Sequence, residues 1–404
     1  MSKRKLLVFA STFPRWKKDT IPPFVYELSK RLVKGFDVTV LAPSFPGAKE
    51  EEVMDGMKVK RFHYGLGRYE TLASNEGILP ALKKSKWNYF KIPFFLLGEF
   101  FALRKEIKEN RPDMIHTHWI IPQGFVAAIC KKFYGTRFVV TTHGGDIFGL
   151  RGFVSRMSKR FTLRNADKIT VVSNAIKKEI LTTLNPKLKI DVVSMGVDSK
   201  KFNPRQRDDS IKKKYKIGEE FLLFVGRLAE KKGVKYLLEA MPDVLKKFPK
   251  AKLLIVGSGP LEKELKEIHK NLKLKDSVVF TGAIANAELP KYYATADIFV
   301  GPSIEARGGD KEGLGLTFVE AGMSGALVIA TDLEAIADAI QDGKTGFIVK
   351  QKNSKEIAKK IISLLGSKDK MGKMQKTARA ELVKKFDWDV VSKRYDEILG
   401  GVGR

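Results

Sequence analysis

The sequence predicts an α/β protein built from two doubly wound, parallel-sheet domains that face each other across a cleft. Short apolar runs bounded by Gly, Pro, Ser or Thr alternate with stretches of helical periodicity along the chain. Continuous apolar strands of this kind belong to parallel sheets covered by helices on both faces. The pattern restarts near Phe221, after a polar, charge-rich stretch at residues 198–220. We interpret that stretch as the linker between the two domains.

Each half of the chain has its own series of predicted strands. In the first half they lie at residues 6–10, 38–42, 114–116, 138–142 and 169–172, and in the second half at 221–226, 253–257, 278–282, 298–301 and 327–330. We place the N-terminal domain at residues 1–198, the C-terminal domain at 199–386 and a terminal helix at 387–404. Ligands of such sheets bind beyond the carboxyl ends of the strands.

Length and cysteine content point to a cytoplasmic protein. The chain of 404 residues suits two domains of about 200 residues each. Its single cysteine, Cys130, rules out an internal disulfide, and a long chain without disulfides fits a reducing cytosol. The apolar run at residues 6–10 leads into Ser-Thr-Phe-Pro without a small-residue cleavage site, so we interpret it as a strand and not as a signal peptide.

The formal net charge of +29 is compatible with nucleic acid, an anionic membrane or phosphorylated substrates as partners. No nucleic-acid-binding motif interleaves the lysines, so we expect no nucleic acid partner. Attraction to an anionic membrane explains the charge, and a lysine-rich solvated surface explains it as well.

Residues 87–103 read WNYFKIPFFLLGEFFAL and depart from the strand–helix alternation. Lys91, Pro93 and Glu99 interrupt a segment that is already too short to span a bilayer. One alternative is an interfacial segment with the basic flank Arg104, Lys105 and Lys108, which would hold the protein peripherally at the inner face of the cytoplasmic membrane. In that case Phe94, Phe95 and Phe101 would insert into the membrane surface. The other alternative is a buried helix packed on the N-terminal sheet.

Residues 302–332, PSIEARGGDKEGLGLTFVEAGMSGALVIATD, carry the most chemical information. Glycines at positions 308, 309, 313 and 315 let the backbone approach a ligand closely. A helix predicted to begin near Leu316 offers free N–H groups and a positive dipole end to an anion such as a diphosphate. Glu320 lies about one turn into this helix, where a carboxylate can accept hydrogen bonds from ribose hydroxyls, and Glu312 lies in the loop before it. The alternative for each glutamate is a solvated surface position.

Two further segments could serve the same site. In FVGRLAEKKG, residues 224–233, a strand is followed by Arg227 and Lys232, and two cations aimed at one cleft can neutralise a departing nucleoside diphosphate. In VGSGP, residues 256–260, Gly257 lies in a glycine-rich strand-to-helix turn, which also occurs where a fold simply needs room.

These segments resemble those of a known family. GRLAEKKG, VGSGP, FTG, VGPS and EGLGLTFVEAGMSG, in this order, resemble the retaining glycosyltransferases of family 4, whose donor domain carries a Glu-x7-Glu motif. The resemblance covers nearly the whole chain, including VVSMGVDSKKFNP and the final FDWDVVSKRYDEIL. It implies the GT-B fold, with two Rossmann-like domains and a last helix that crosses back onto the N-terminal domain.

The resemblance also implies an activity. A hexosyl unit would move from a UDP- or GDP-linked sugar to a lipid-linked, polysaccharide or small-molecule acceptor, with retention of configuration. The nucleoside diphosphate sugar would be the co-substrate, and no cofactor is expected. The alternatives are a GT-B sugar-nucleotide epimerase or phosphorylase, and a non-catalytic basic binding protein on this fold.

Site residues follow from the resemblance position by position. Glu320 would hold the donor ribose, Arg227 and Lys232 the diphosphate, and Glu312 would lie near the transferred sugar. The donor-binding backbone would be that of Gly313, Leu314, Gly315, Leu316, Gly257 and Gly282. TTHGGD, residues 141–146, resembles the family's strand-end histidine motif and would place His143 in the cleft. Residues 11–23 lack the adjacent glycines that many relatives have in that loop, so no role is assigned to it.

Two metal signals are rejected. Asp387-Trp388-Asp389 has the Asp-x-Asp pattern of another glycosyltransferase fold, but it precedes a helical pattern and is better explained as a helix cap. His116 and His118 could ligate a metal as a pair, yet no third ligand follows at a recognisable spacing. We expect no metal.

Overall fold

The computed structural model describes residues 3–16, 19, 23–73, 77–78, 81–82 and 85–402, with the backbone alone at 368–370. The chain forms two compact units. Unit 1 comprises Met1–Met195 and Val391–Arg404, and unit 2 comprises Gly196–Val390.

Unit 1 is built on an eight-stranded sheet of order β3-β4-β2-β1-β5-β6-β7-β8. Its pairings are parallel except that of β3 with β4. The strands are β1 (Arg4–Phe9), β2 (Phe36–Pro43), β3 (Glu51–Met54), β4 (Met57–Phe62), β5 (Met114–His118), β6 (Phe138–Thr142), β7 (Lys168–Val171) and β8 (Asp191–Val192). Strands β5 and β6 are buried at every position, as expected for the centre of a sheet covered on both faces.

Helices follow most of these strands. They are α1 (Phe24–Leu32), α2 (Lys91–Asn110), α3 (Phe125–Tyr134), α4 (Gly145–Phe148), α5 (Phe153–Asn165) and α6 (Asn174–Thr183). A short 3-10 turn, Lys86–Phe90, leads directly into α2. None of the helices in the described ranges combines the length and the apolarity needed to cross a bilayer.

Unit 2 is built on a six-stranded sheet of order β11-β10-β9-β12-β13-β14, with parallel pairings throughout. Its strands are β9 (Phe221–Val225), β10 (Lys252–Val256), β11 (Val278–Gly282), β12 (Ile298–Gly301), β13 (Leu327–Thr331) and β14 (Phe347–Val349). Its helices are α7 (Asp209–Lys214), α8 (Val234–Lys247), α9 (Glu262–Asn271), α10 (Leu289–Thr295), α11 (Leu316–Ser324), α12 (Ser354–Leu365) and α13 (Lys368–Phe386), and α14 (Trp388–Gly401) runs on into unit 1.

The strand order of unit 2 fixes where a ligand can bind. From β9 the chain moves outward through β10 to β11, and then returns to the other side of β9 to form β12, β13 and β14. The helices after β9 and β12 therefore leave the sheet on opposite faces and open a crevice at the carboxyl ends of these two strands. Such a switch point is the usual binding site of a doubly wound sheet.

The predicted fold class is confirmed, because both units are doubly wound α/β sheets. Two details differ from the sequence analysis. The predicted linker at 198–220 contains α7 and is part of unit 2. There the ring of Phe202 packs edge-on against that of Tyr293 with centroids 5.9 Å apart, and the Asp208 N–H donates to Thr295 Oγ1 at 3.0 Å. The β3–β4 hairpin and β14 were not predicted.

The predicted helix cap at Asp387 is confirmed. Its carboxylate accepts hydrogen bonds from the N–H groups of Asp389 at 2.8 Å and Ser199 at 3.1 Å. The carboxylate therefore joins the start of α14 to the first residues of unit 2.

Candidate active site

The loops after β9 and β12 are joined at the switch point. The Ile304 N–H donates to the Lys231 carbonyl at 2.8 Å, and the Arg307 N–H donates to Glu230 Oε1 at 3.1 Å. Gly233, in the loop after β9, has φ +63°. A Cβ on it would come within 1.9 Å of the carbonyl oxygen of Pro302, in the loop after β12. Only glycine permits this approach, so the sequence Lys-Lys-Gly allows the two loops to touch.

Lys232 and Glu312 form the central charged pair of this crevice. Lys232 Nζ lies 2.8 Å from Glu312 Oε1, and the two side chains are 16% and 10% exposed. Burial by itself would raise the pKa of Glu312, but the ammonium groups of Lys232 and Lys231 outweigh it and hold that pKa below its usual value. Glu312 is therefore ionised at neutral pH and orients Lys232.

Helix α11 begins beside this pair. Gly315 precedes it in the left-handed region at φ +79°, and among the described residues no side chain caps the first turn. The first N–H groups of a helix have no partner within the helix, and they carry its positive dipole end. The start of α11 can therefore bind an anion.

Glu320 lies on the second turn of α11 and accepts a hydrogen bond from the Tyr293 hydroxyl at 3.1 Å. Burial raises the pKa of Glu320, and the hydrogen bond from Tyr293 and the charges of Lys201 and Lys232 offset part of this rise. Lys232 thus acts on both glutamates. Tyr293 and Lys201 were not among the predicted site residues, because nothing in their local sequence marks them.

The glycine-rich turns after β10 and β11 meet each other. The Gly257 N–H donates to the Gly282 carbonyl at 2.8 Å. Gly257 has φ +131°, and a Cβ on it would come within 2.0 Å of the Gly226 carbonyl oxygen. This close approach explains the glycine at 257 without a ligand. Gly226 precedes Arg227, which is half-buried at the end of β9.

The structure therefore brings most of the predicted donor-site residues to one edge of the unit 2 sheet. Lys232 and Glu312 are in direct contact, Glu320 and residues 313–316 lie on or before α11, and Arg227, Gly257 and Gly282 lie at neighbouring strand ends.

His143 belongs to a separate cluster at the carboxyl ends of β5 and β6 in unit 1. His143 Nε2 and His118 Nδ1 share a hydrogen bond of 2.9 Å, and the two rings stack with centroids 5.2 Å apart. The rings of Trp119 and Phe24 also contact that of His143, in tilted arrangements with centroid distances of 5.0 and 4.8 Å. Trp119 holds φ +73°, a conformation that costs a non-glycine residue about 1–3 kcal/mol.

Burial keeps these histidines neutral. It lowers the pKa of His143 to about 3, with a further contribution from His116, and lowers the pKa of His118 well below its usual value. A neutral His143 can accept or donate one hydrogen bond at its second ring nitrogen, as a ligand requires. Among the described residues no group of three or more His, Cys, Asp or Glu side chains is arranged to hold a metal ion.

Both halves of the chain match models of known protein families. Residues 206–381 match the family model described as glycosyl transferases group 1, and residues 23–201 match that of glycosyltransferase family 4. The two models together extend over most of residues 23–381, so the chain is a glycosyltransferase of the family 4 type.

A curated relative extends over almost the full length of this glycosyltransferase. It is 26% identical over 407 residues, covering 98% of both chains, to the GDP-mannose-dependent alpha-(1-6)-phosphatidylinositol monomannoside mannosyltransferase of Mycolicibacterium smegmatis. Among solved structures, sucrose-phosphate synthase from Thermosynechococcus elongatus matches with a TM-score of 0.79 at 19% identity, covering 98% of both chains. HepE of Anabaena, solved in complex with UDP, matches with a TM-score of 0.74 at 18% identity, covering 98% of this chain and 100% of its own. These likenesses show that the glycosyltransferase has the GT-B fold.

Proposed function

We propose that this glycosyltransferase moves a hexosyl unit from a UDP- or GDP-linked sugar to its acceptor with retention of configuration. The observation that supports this most is the placement of Lys232, Glu312, Glu320 and the start of α11 around one switch point. A diphosphate fits the N–H groups of residues 313–316 and the cations Arg227 and Lys232. The ribose hydroxyls fit Glu320, and the transferred sugar lies near Glu312.

The proposed reaction is a same-face displacement. The bond between the anomeric carbon and the diphosphate oxygen breaks while the acceptor oxygen bonds to the same face of the sugar, and the proton of the acceptor hydroxyl passes to the departing diphosphate oxygen. Glu312 is held in an ion pair with Lys232, which suits it to orient the cation and not to attack the sugar. The charge that builds on the leaving diphosphate is then met by Lys232, Arg227 and the helix end, where preorganised groups stabilise a transition state most. No metal is needed in this scheme.

His143 contributes a neutral imidazole to the same reaction. Its hydrogen bond with His118 fixes the ring, and its remaining nitrogen is then available to a sugar hydroxyl.

Among lipid-linked, polysaccharide and small-molecule acceptors, we favour a lipid-linked one. The relative from Mycolicibacterium smegmatis is named for transfer from GDP-mannose onto a phosphatidylinositol mannoside, which supports a lipid or another cell-envelope acceptor here and a GDP-linked donor. The enzyme would then act in the cytoplasm, where nucleotide sugars are made.

A donor panel tests the proposal. The melting temperature of the purified protein is measured with UDP- and GDP-linked glucose, mannose, galactose and N-acetylglucosamine. In a separate assay, slow hydrolysis of each donor is monitored through the nucleoside diphosphate that it releases. A ligand that binds only the native state raises the melting temperature by mass action, so one donor should raise it and be hydrolysed. Epimerised sugar nucleotide would indicate the epimerase, phosphate-dependent release of sugar phosphate would indicate the phosphorylase, and no response to any donor would contradict the proposal.

A further inference from the structure

The outer face of α2 carries a continuous row of exposed side chains that the proposed reaction does not use. Phe94, Leu97 and Phe101 are 63%, 53% and 57% exposed, and they lie three and four residues apart, so they share one helix face. The same face begins at Phe90 and continues through the exposed Lys105 and Lys108. We call these six residues the α2 stripe. Large apolar side chains exposed in a row mark an interaction surface.

The turn before α2 extends the apolar end of the stripe. Trp87 is 77% exposed, and its ring contacts that of Phe90 at a centroid distance of 5.6 Å. Tyr89 is exposed in the same turn. The surface is therefore apolar and aromatic at its amino end and basic at its carboxyl end.

The acidic side chains of α2 are largely kept off this face. Glu99 is buried and accepts a hydrogen bond from Gln123, and Glu106 is buried and paired with Lys60 Nζ at 2.7 Å. Phe95 also faces the core: it is 2% exposed and packs on Tyr64 and Phe62. The prediction that Phe95 inserts into a membrane surface is therefore wrong. The helix thus has one core-facing side with the two buried carboxylates and one outward side with aromatics and lysines, on which Glu109 is the one exposed carboxylate among the residues of α2.

We propose that the α2 stripe is a docking surface for the face of an anionic lipid bilayer. Trp, Tyr and Phe settle at the boundary between headgroups and acyl chains, and an amphipathic helix with basic residues binds there without spanning. Each lysine near an anionic surface adds to the attraction, which falls off within a Debye length. A second copy of this chain fits the stripe poorly, because each copy carries a net charge of +29 and like charges repel.

Co-sedimentation with lipid vesicles tests the proposal and does not depend on the reaction. The full-length protein is mixed with vesicles of phosphatidylcholine alone and of phosphatidylcholine with phosphatidylglycerol. Binding should require the anionic lipid and weaken as salt is added. Equal recovery with both vesicle types at low salt would overturn the proposal.

Matched variants locate the surface. Phe94→Ser with Phe101→Ser should weaken anionic-vesicle binding at least about tenfold, and Lys105→Glu with Lys108→Glu at least about 30-fold. The controls are Val53→Ser, an exposed apolar residue on β3, and Lys263→Glu with Lys270→Glu, exposed lysines on α9. The control variants should stay within about twofold of the wild type. If the α9 pair loses as much binding as the α2 pair, net charge and not the stripe is responsible, and the proposal fails.

Two further measurements distinguish bilayer docking from misfolding of the variants and from self-association. All variants should keep the wild-type melting temperature and its nucleotide response, since the stripe lies in unit 1 and the nucleotide site in unit 2. If the wild type instead forms dimers in sedimentation velocity that Phe94→Ser with Phe101→Ser abolishes, the stripe binds a second copy and the membrane proposal is wrong. A failed donor panel would leave the vesicle result standing.

Discussion

Lys231 and Lys232 are adjacent and chemically identical, but they serve different partners. Lys231 pairs with Asp310 at 3.2 Å and its carbonyl accepts from Ile304, so its contacts hold two loops together. Lys232 pairs with Glu312 inside the crevice, and its charge also offsets part of the rise that burial causes in the pKa of Glu320. A structural lysine and a candidate catalytic lysine therefore follow one another in the chain.

We predict that Lys232→Ala lowers kcat about 100-fold or more while donor affinity changes less, because the leaving diphosphate gains charge in the transition state. Lys231→Ala is the matched control and should lose less than about tenfold in kcat. Steady-state kinetics with the donor identified by the panel measure both. Equal losses would show that both lysines act only through the loop. Loss of wild-type activity in EDTA would contradict the metal-free scheme.

Glu320 gives a second test at this scale. Glu320→Gln should weaken nucleotide binding about tenfold or more, since a neutral amide is a poorer acceptor for two ribose hydroxyls than a carboxylate. Glu267→Gln, an exposed carboxylate on α9, serves as the control. Titration calorimetry with the nucleoside diphosphate measures the difference, and unchanged affinity in Glu320→Gln would remove the ribose role.

At the scale of single elements, α2 contains two buried carboxylates that differ in their partners. Glu99 accepts a hydrogen bond from a neutral amide, whereas Glu106 is paired with an ammonium group. Burial raises the pKa of Glu99 well above its usual value of 4.5, and its hydrogen bond with Gln123 offsets only part of this. Within the described chain, Glu99 Oε2 and Gln123 Oε1 have no hydrogen-bond partner. Glu106, further along the same face, is instead paired with Lys60 and accepts from Asn110 at 2.7 Å.

We predict that Glu99→Gln stabilises the protein at pH 7.5. The pKa of Glu99 is higher in the folded than in the unfolded protein, so the contribution of this group to the free energy of unfolding is fully present below about pH 4.5. That contribution is lost as the pH rises, by about 1.4 kcal/mol per pH unit between the two pKa values. The amide removes this loss, and its gain should shrink as the pH approaches 4.5. Urea unfolding at several pH values measures this. Glu106→Gln should destabilise at pH 7.5, and a gain for both variants would refute the assignment.

The contact between the loops after β9 and β12 gives another prediction at this scale. Gly233→Ala should cost at least about 2 kcal/mol, because it combines a left-handed conformation with a clash against the Pro302 carbonyl. Gly218→Ala, where a Cβ meets nothing within 4 Å, should be close to neutral. Chemical denaturation followed by nucleotide binding measures both effects. A neutral Gly233→Ala would mean that the loops can separate without cost.

The sequence predicted the elements whose signal is local and strong. The apolar runs at 138–142 and 221–226 became β6 and β9, because buried parallel strands are continuously hydrophobic. The β3–β4 hairpin was missed, since its alternating, partly exposed residues resemble a polar loop. Tyr293 was missed as a partner of Glu320 because it lies 27 residues away, and only the tertiary fold brings them together.

At the scale of the whole molecule, the chain of unit 1 is interrupted. Unit 2 is one continuous segment, Gly196–Val390, and its ends are joined to each other, since the Val197 N–H donates to the Phe386 carbonyl at 2.8 Å and the Trp388 N–H to the Val197 carbonyl at 3.3 Å. Unit 1 is completed by the residues after 390. There Tyr395 is fully buried, its hydroxyl donates to the Val193 carbonyl at 3.0 Å, and its ring lies 5.7 Å from that of His116.

We predict that deleting residues 391–404 destabilises unit 1 and spares nucleotide binding by unit 2. The deletion uncovers His116 and removes Tyr395 from Thr141 and Thr170, whose hydroxyls also contact its phenolic oxygen. Hydrogen exchange should show faster exchange in β5 and β6 and unchanged exchange in β9 and β12. Tyr395→Phe, which keeps the ring and loses the hydroxyl, should show a smaller effect in the same strands. Equal acceleration in both units would contradict the prediction.

This arrangement also sets the order of events during synthesis. The ribosome delivers β1–β8 first, but the residues that cover His116 follow only after the whole of unit 2. At about 5–20 residues per second, unit 1 waits roughly 10–40 s for its final helix while unit 2 can fold in the interval. The histidine cluster is therefore finished after the nucleotide site. A released chain that ends just before Val391 would leave one face of the unit 1 sheet uncovered for chaperones, although the candidate nucleotide site of unit 2 would be complete.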